Sequence, residues 1–348
     1  MIIAIANAIG RNGGIRTDKL VPVNTIAPVI SGTALVGNTL TSTTGTWTSD
    51  TGVIGYLYQW TRDGVNISGA TNSTYTLVSA DLNKSIICKV AATDTDGTSA
   101  YVNSNSLVIY DSDYKAVLDY ATTQNYTLPS VSQRLKQSVL LSSLKTAGVW
   151  SKLDTFANFA TDGSSNFALI DWKRLSLLTA VNSPTFTTNE GFNGNGTSSH
   201  INTNFTPFLN ASNYQLNNAS RYIYIFAPVA NDRVDGNLID TNGIRLGSFN
   251  TQRLNSGSNT LNTAFEYTSV RGMKSIHRTS STNLTLANNK TSAARTSTST
   301  ALPNSSQFIL RQGFIYSTSK VSMYAMGASL VSENNNFVDA FDTYLTSL

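Results

Sequence analysis

The sequence predicts a mainly β chain: a β-sandwich, then a short helical connector, then a two-sheet jelly-roll sandwich with a C-terminal helix. Three observations predict it. Short runs rich in β-branched and aromatic residues, bounded by Gly, Asn and Asp, recur from residue 23 to about 110 and again from about 166. Helical periodicity is confined between them, and an apolar stripe of helical spacing closes the chain. The 348 residues, 40% of them apolar, suffice for two or three domains with real cores.

Residues 2–9 (IIAIANAI) form a short apolar run with a Gly-rich exit at Gly10, Gly13 and Gly14. No basic stretch precedes it, and Arg11 and Arg16 come after it, so the expectation for residues 1–22 is an arm and not a secretion signal. An arm that docks on a partner and a first strand that pairs within its own chain both fit.

Residues 23–111 read as an all-β unit. Candidate strands cover 34–41, 56–62, 73–78, 85–93 and 101–109, with turn signals at Arg62-Asp63-Gly64 and Asp94-Thr95-Asp96-Gly97 between them. The blocks GNTLT, YQWTRDG, GATNSTYTL and AD within this stretch resemble those of bacterial and phage Ig-like modules, and the match covers nearly all of it. The resemblance implies that Trp60 is the core tryptophan of the third strand. It also places Cys88 where antibody-type domains carry their second half-cystine, with apolar packing near Leu40 in place of a disulfide.

Residues 112–165 turn helical. Asp113 is expected to cap a helix ending near Ala121. Pro129 opens a longer one, with Leu135, Val139, Leu140 and Leu144 at helical spacing and Gly148 as its stop. Trp150, Leu153, Phe156 and Phe159 continue the apolar face, so the segment is read as a connector packed against the β-rich region on its C-terminal side.

From about 166 to 348, strands are expected at 167–170, 192–195, 201–205, 221–228, 243–246, 272–277, 284–288, 308–312 and 321–330. In the run 221–226, Tyr222, Tyr224 and Phe226 share one face and Ile223 and Ile225 the other, so both faces are expected to be covered. Asn288-Asn289-Lys290 signals a tight hairpin. Ser332 is the expected cap of a final helix whose Phe337, Phe341, Tyr344, Leu345 and Leu348 face a core. The blocks LTLANNK, VSMYAMGASL and FVDAFDTYLTSL resemble concanavalin A-like (laminin-G-type) lectin domains, as found at the ends of spikes and tail fibres in phages of Flavobacterium-like hosts. The preceding LKTAGVWSKLDTFANFATDG resembles the helical lead-in of the same proteins. The resemblance spans about 113–348 and implies a virion-surface protein that contacts a host.

Composition removes several functions. Two histidines, His200 and His277, and one cysteine, Cys88, cannot build the common zinc sites, and one cysteine forms no intrachain disulfide. A net charge of +4 with no Lys/Arg run argues against nucleic acid as a partner. No apolar stretch approaches the roughly 20 residues of a membrane span. Ser, Thr and Asn make up roughly a third of the chain, which keeps strand surfaces soluble without a strong field. The N-x-S/T triplets at Asn66, Asn72, Asn125, Asn204 and Asn283 result from that composition.

Glycoside hydrolysis normally uses two nearby carboxylates. The jelly-roll segment offers Asp171, Glu190, Asp232, Asp235, Asp240 and Glu266 without an alternating acidic run, and Asp232 and Asp235 read as a solvated turn. No G-x-S-x-G elbow is present. His277 reads as a surface or half-buried structural residue. Asp94-Thr95-Asp96-Gly97 lacks the later acid of a calcium loop and reads as a turn. The expectation is therefore a protein that is not an enzyme, with no catalytic, metal or cofactor-binding residues. Sugar-binding side chains are sought among Tyr214, Tyr267, Phe314 and Tyr316, with Asn213, Arg311 and Gln312 nearby, and none is assigned.

Together these imply a phage spike or tail-fibre protein that binds a host receptor, with a glycan as the expected kind, from the virion surface. It is expected to join other virion proteins through residues 1–22 and to form a homotrimer, an oligomer order that only the resemblance implies. The alternatives are a decorating minor virion protein without receptor contact and a surface-glycan depolymerase.

Overall fold

The structure is a computed structural model that describes residues 20–237, 254–255 and 270–348. The chain divides into two compact units, one ending at Tyr110 and one running from Asp111 to Leu348. It is mainly β, with several antiparallel sheets and a C-terminal helix, as the sequence predicts. Residues 1–19 of the expected arm and the strand expected at 243–246 lie outside the described residues.

The first unit contains β1 (Val23–Ile26), β2 (Ile30–Ser31), β3 (Thr39–Ser42), β4 (Thr46–Thr48), β5 (Gly55–Arg62), β6 (Val65–Asn66), β7 (Thr74–Thr76), β8 (Ser85–Thr93), β9 (Val102–Asn103) and β10 (Leu107–Val108). One sheet has the order β10-β8-β5-β6 with β9 also on β8, another the order β2-β3-β7, and β1 pairs with β4. Alternation along β8 sends Ile86, Cys88 and Val90 inward to meet Ile30, Leu40, Trp60 and Leu77. Trp60 stands opposite Cys88 in the β5–β8 ladder and is fully buried. Its indole N–H donates to the Asn72 carbonyl at 2.8 Å, and its ring stacks on Tyr75 at 5.6 Å. Buried Asp81 ties the same corner together, accepting from Arg62 Nε (2.7 Å), the Tyr75 hydroxyl (2.9 Å) and the Val78 amide (2.7 Å). Cys88 is a free thiol that burial pushes up from its ordinary pKa. Asp94 accepts from the Asp96 and Gly97 amides, a turn closed by its own carboxylate.

The second unit contains α1 (Ser112–Thr123), α2 (Val131–Thr146), β11 (Leu153–Asn158), α3 (Ser165–Ala168), β12 (Ile170–Asp171), β13 (Ser176–Leu177), β14 (Thr179–Val181), β15 (Thr185–Thr187), β16 (Gly191–Asn193), β17 (His200–Asn202) and α4 (Pro207–Asn210). It continues through β18 (Ala219–Ala227), β19 (Asp235–Asn237), β20 (Gly272–Arg278), β21 (Asn283–Asn288), β22 (Thr291–Thr296), β23 (Gln307–Ile309), β24 (Arg311–Gln312), β25 (Ile315–Tyr316), β26 (Lys320–Gly327) and α5 (Asn334–Ser347). The large sheet has the order β15-β16-β26-β18-β20-β21-β22, and β11 shares with β16 the edge of β26 that faces away from β18. The smaller sheet has the order β14-β17-β23-β19.

The core lies between these sheets, where Ile223, Ile225, Ile276, Leu284 and Leu286 meet Ile201, Ile309 and Val234. On the opposite face of β18, Tyr222 packs on Phe337 (4.7 Å between ring centres) and Tyr224 on Phe341 (5.2 Å), so both faces are covered as the alternation predicts. The Tyr344 hydroxyl accepts from Gln133 (3.2 Å) and Gln137 (3.1 Å), joining α5 to α2. The expected hairpin at Asn288-Asn289-Lys290 joins β21 to β22, with Asn289 at φ 50°.

Local readings are corrected at several points. Asp111, not Asp113, caps α1; the Asp113 carboxylate instead holds Trp150 Nε1 at 2.7 Å and Lys145 at 2.9 Å. Ser130 caps α2, Gly148 comes just after its end at φ +70°, and Val139 faces solvent. The helical face expected through Leu153 and Phe156 is a strand, because pairing with β26 satisfies its backbone and outweighs local periodicity. Residues 167–170 begin in α3, capped by Ser164. The strand expected at 308–312 breaks at Leu310, whose φ is +66°. Glu333 occupies the position of the helix cap expected at Ser332.

Candidate functional site

Among the described residues, the most exposed aromatic group sits on a hairpin at the edge of the smaller sheet. β24 and β25 pair Arg311 with Tyr316 and Gln312 with Ile315, leaving Gly313 and Phe314 as a two-residue turn. Gly313 takes φ +60°, which a glycine in the first turn position supplies without strain. Phe314 is thereby held outward, 82% exposed, with Ile315 exposed beside it.

Behind that tip the polar groups are fixed. The Arg311 guanidinium lies over the Phe308 ring at 4.7 Å and the Tyr316 ring at 5.2 Å. Its Nε donates to the Gly313 carbonyl at 2.8 Å, and its Nη1 reaches His200 Nε2 at 3.2 Å. His200 Nδ1 lies 3.0 Å from the Ser198 carbonyl and must carry the proton, which leaves Nε2 to accept from Arg311. Burial holds the imidazole below its ordinary pKa against the Ser198 contact, and the Arg311 cation adds to the shift. His200 is thus a neutral prop for Arg311. Asp232 fastens the exit of the hairpin, accepting from the hydroxyls of Ser317 (2.5 Å) and Ser319 (2.6 Å) and the Ser319 amide (3.0 Å). The result is a rigid cation–aromatic cluster with one ring projecting beyond it, a surface able to stack on an apolar face and donate planar hydrogen bonds.

The remaining sequence candidates are distributed elsewhere. Tyr214 is buried and donates to Asn255 Oδ1 at 2.7 Å, and Gln312 is buried. Asn213 is tied by its amide to Asp154. Tyr267, Asp240 and Glu266 lie outside the described residues. Asp171 is buried and paired with Arg174 at 2.7 Å, and Glu190 pairs with Lys320. The reading of Asp232 and Asp235 as a solvated turn is corrected: Asp235 is fully buried on β19 and pairs with fully buried Arg221 of β18 at 3.1 Å, a bridge between the two sheets. His277 is likewise buried, not a surface residue, and its ring meets Tyr222 edge-on. Sequence reasoning missed His200 and Phe308 as partners of Arg311; His200 lies 111 positions away, and no local signal joins them.

Among the described residues no group of three or more His, Cys, Asp or Glu is placed to hold a metal ion, and no helix is long and apolar enough to cross a membrane.

No family model matches the chain, and no curated protein matches it. Solved structures do, among them the following at low identity. Domain 4 of AbnA, a GH43 extracellular arabinanase from Geobacillus stearothermophilus solved with arabinotriose, is 12% identical, with 54% of this chain and 98% of that one covered, at a TM-score of 0.35. Trypanosoma rangeli sialidase with sialic acid is 10% identical, covering 91% of this chain and 61% of that one, at 0.41. The botulinum neurotoxin serotype D binding domain is 10% identical, covering 55% and 53%, at 0.35. The chain therefore spans less than two thirds of the sialidase and of the toxin domain. Its structural likeness is to carbohydrate-binding and glycan-active proteins, at a distance that carries no argument about activity. The expectation that the chain is not an enzyme is withdrawn, because the structures it matches include sialidases.

Proposed function

We propose that this chain is a phage spike or tail-fibre protein that attaches the particle to a glycan on the host cell surface. The observation that carries the reading is the projecting Phe314 beside an Arg311 clamped by Phe308, Tyr316 and His200. An aromatic face stacks on the C–H face of a sugar ring, and a held guanidinium donates to its hydroxyl or carboxylate oxygens with little entropy left to lose. The sequence blocks shared with Ig-like modules and concanavalin A-like lectin domains support the same reading.

In this proposal residues 1–22 join the protein to other virion proteins, residues 23–111 form an Ig-like spacer, residues 112–165 the helical lead-in, and residues 166–348 the lectin-like reader. Three copies on one spike would sum weak single contacts into firm attachment. Locating the chain in images of whole particles tests this. Density for the second unit at the outward end of a threefold projection is expected; density inside the shell, out of reach of a cell surface, overturns it.

A further inference from the structure

We infer that a cleft between the start of α5 and the outer face of β20, β21 and β22 is a second binding site, for a neutral polyhydroxylated ligand of monosaccharide size. It lies on the large sheet, whereas the Phe314 hairpin belongs to the edge of the smaller one, and the inference does not rest on the attachment reading.

The cleft has a volume of about 110 Å³, and His277, Thr285, Ser292, Val331, Asn334 and Asn335 contribute to its lining. One water needs roughly 10–15 Å³ of such space, so the cleft admits a group of sugar-ring size. His277, only 1% exposed, supplies the deciding feature: its Nδ1 has no hydrogen-bond partner. The Ser275 hydroxyl lies 2.9 Å from His277 Nε2 and 3.0 Å from Asn334 Oδ1. Asn334 Nδ2 donates to the Asn289 carbonyl at 2.8 Å, which fixes its Oδ1 as the acceptor of the serine proton. Ser275 must then accept from His277, so Nε2 carries the imidazole proton and Nδ1 is a bare lone pair. Burial, which pushes the ring down to about 3, keeps it neutral.

A buried acceptor without a donor is costly, and a ligand that brings an O–H or N–H relieves that cost. The chemistry around it selects among donors. A neutral imidazole that offers only a lone pair disfavours an anion, and Lys290, the cation on the rim, is already paired with Asp339. The hydroxyls of Thr285 and Ser292 and the Asn335 amide can both donate and accept, as the hydroxyls of a sugar do. Ala287 and Val331 offer apolar contact for the C–H groups between those hydroxyls. A few convergent polar groups in a partly apolar recess are the usual make-up of a small-ligand site.

The test uses the full chain labelled with nitrogen-15 at histidine, titrated separately with D-glucose, D-galactose, D-mannose and myo-inositol. At least one is expected to shift the His277 Nδ1 resonance and to saturate in the millimolar range, an ordinary affinity for a single shallow site. Ser292→Leu, which fills the exposed side of the cleft, should weaken that binding at least tenfold with an unchanged melting temperature. His277→Phe should abolish it; should this variant fail to fold, Ser292→Leu decides. Phe314→Ala should leave the titration as it is, so failure here and failure of the attachment reading are separable. No shift with any of the four compounds, as for a site that holds water only, overturns the inference, and so does equal binding by Ser292→Leu.

Discussion

Removing the Asp235 carboxylate probes the joint between the two sheets of the second unit. Arg221 and Asp235 are both fully buried, one on each sheet, and the guanidinium also donates to Gln307 Oε1. Asp235→Ala leaves a buried guanidinium with a neutral partner and no counter-charge, a change that costs about 3–5 kcal/mol. Gln307 retains part of the solvation, so the lower half of that range is expected. For a unit running from Asp111 to Leu348, about 2–4 °C is lost per kcal/mol, which gives a fall in melting temperature of roughly 6–16 °C. Calorimetry of the full chain reads it, with hydrogen exchange of the β18 amides assigning the transition to this unit. The double variant Arg221→Met with Asp235→Leu removes both charges and should recover most of the loss. A shift of under a degree in the single variant, or no recovery in the double, would refute the reasoning that charge burial between the sheets sets the cost.

Two further outcomes concern pH and backbone space. Burial depresses the His277 pKa from 6.5 to about 3, with the Asn334 contact and the Glu333 charge opposing the shift. The unfolded chain therefore takes up a proton that the folded chain refuses, so stability is full above about pH 6.5 and falls as pH drops towards 3, by about 1.4 kcal/mol per unit from this group. His200, depressed in the same direction, adds to the slope. Urea melts across that window should show a shallower slope for His277→Gln; an unchanged slope contradicts the assignment. Gly191→Ala, at φ +115°, would put a Cβ 2.0 Å from the Val321 carbonyl oxygen and should detach β16 from β26, whereas Gly313→Ala meets no atom within 4 Å and pays only the left-handed conformation, about 1–2 kcal/mol. Thermal melts separate the two, and equal losses would show that the β16–β26 contact can yield.

The sequence carried the strands whose signal is local. Tyr222, Tyr224, Ile223 and Ile225 alternate because β18 has a helix on one face and a second sheet on the other, and that alternation can be read without a structure. Trp60, Leu40 and Cys88 were legible through sequence blocks, and the structure places all three in one core. Leu153 and Phe156 were not, because their spacing suits a helix and only the β26 edge decides for a strand. Asp235 was misread for a related reason: its Asn-Asp-Arg-Val-Asp-Gly setting has turn composition, while its burial depends on an arginine on another sheet. Of the hairpin site, Arg311, Phe314 and Tyr316 were visible as candidates. Their arrangement was not, since it depends on a positive φ at Leu310 and on His200 far away in sequence. The corrected helix caps are one- or two-residue displacements, where neighbouring Asp and Ser residues offer equivalent chemistry.

The proposed attachment is measured most directly with the purified protein and intact cells of the bacterium that the proposed phage infects. Wild type should saturate the cell surface, and the double variant Arg311→Ala with Phe314→Ala should bind at least tenfold more weakly while melting at the same temperature. Equal binding by the two proteins would contradict the account, because it would remove the hairpin from the proposed contact with the cell surface.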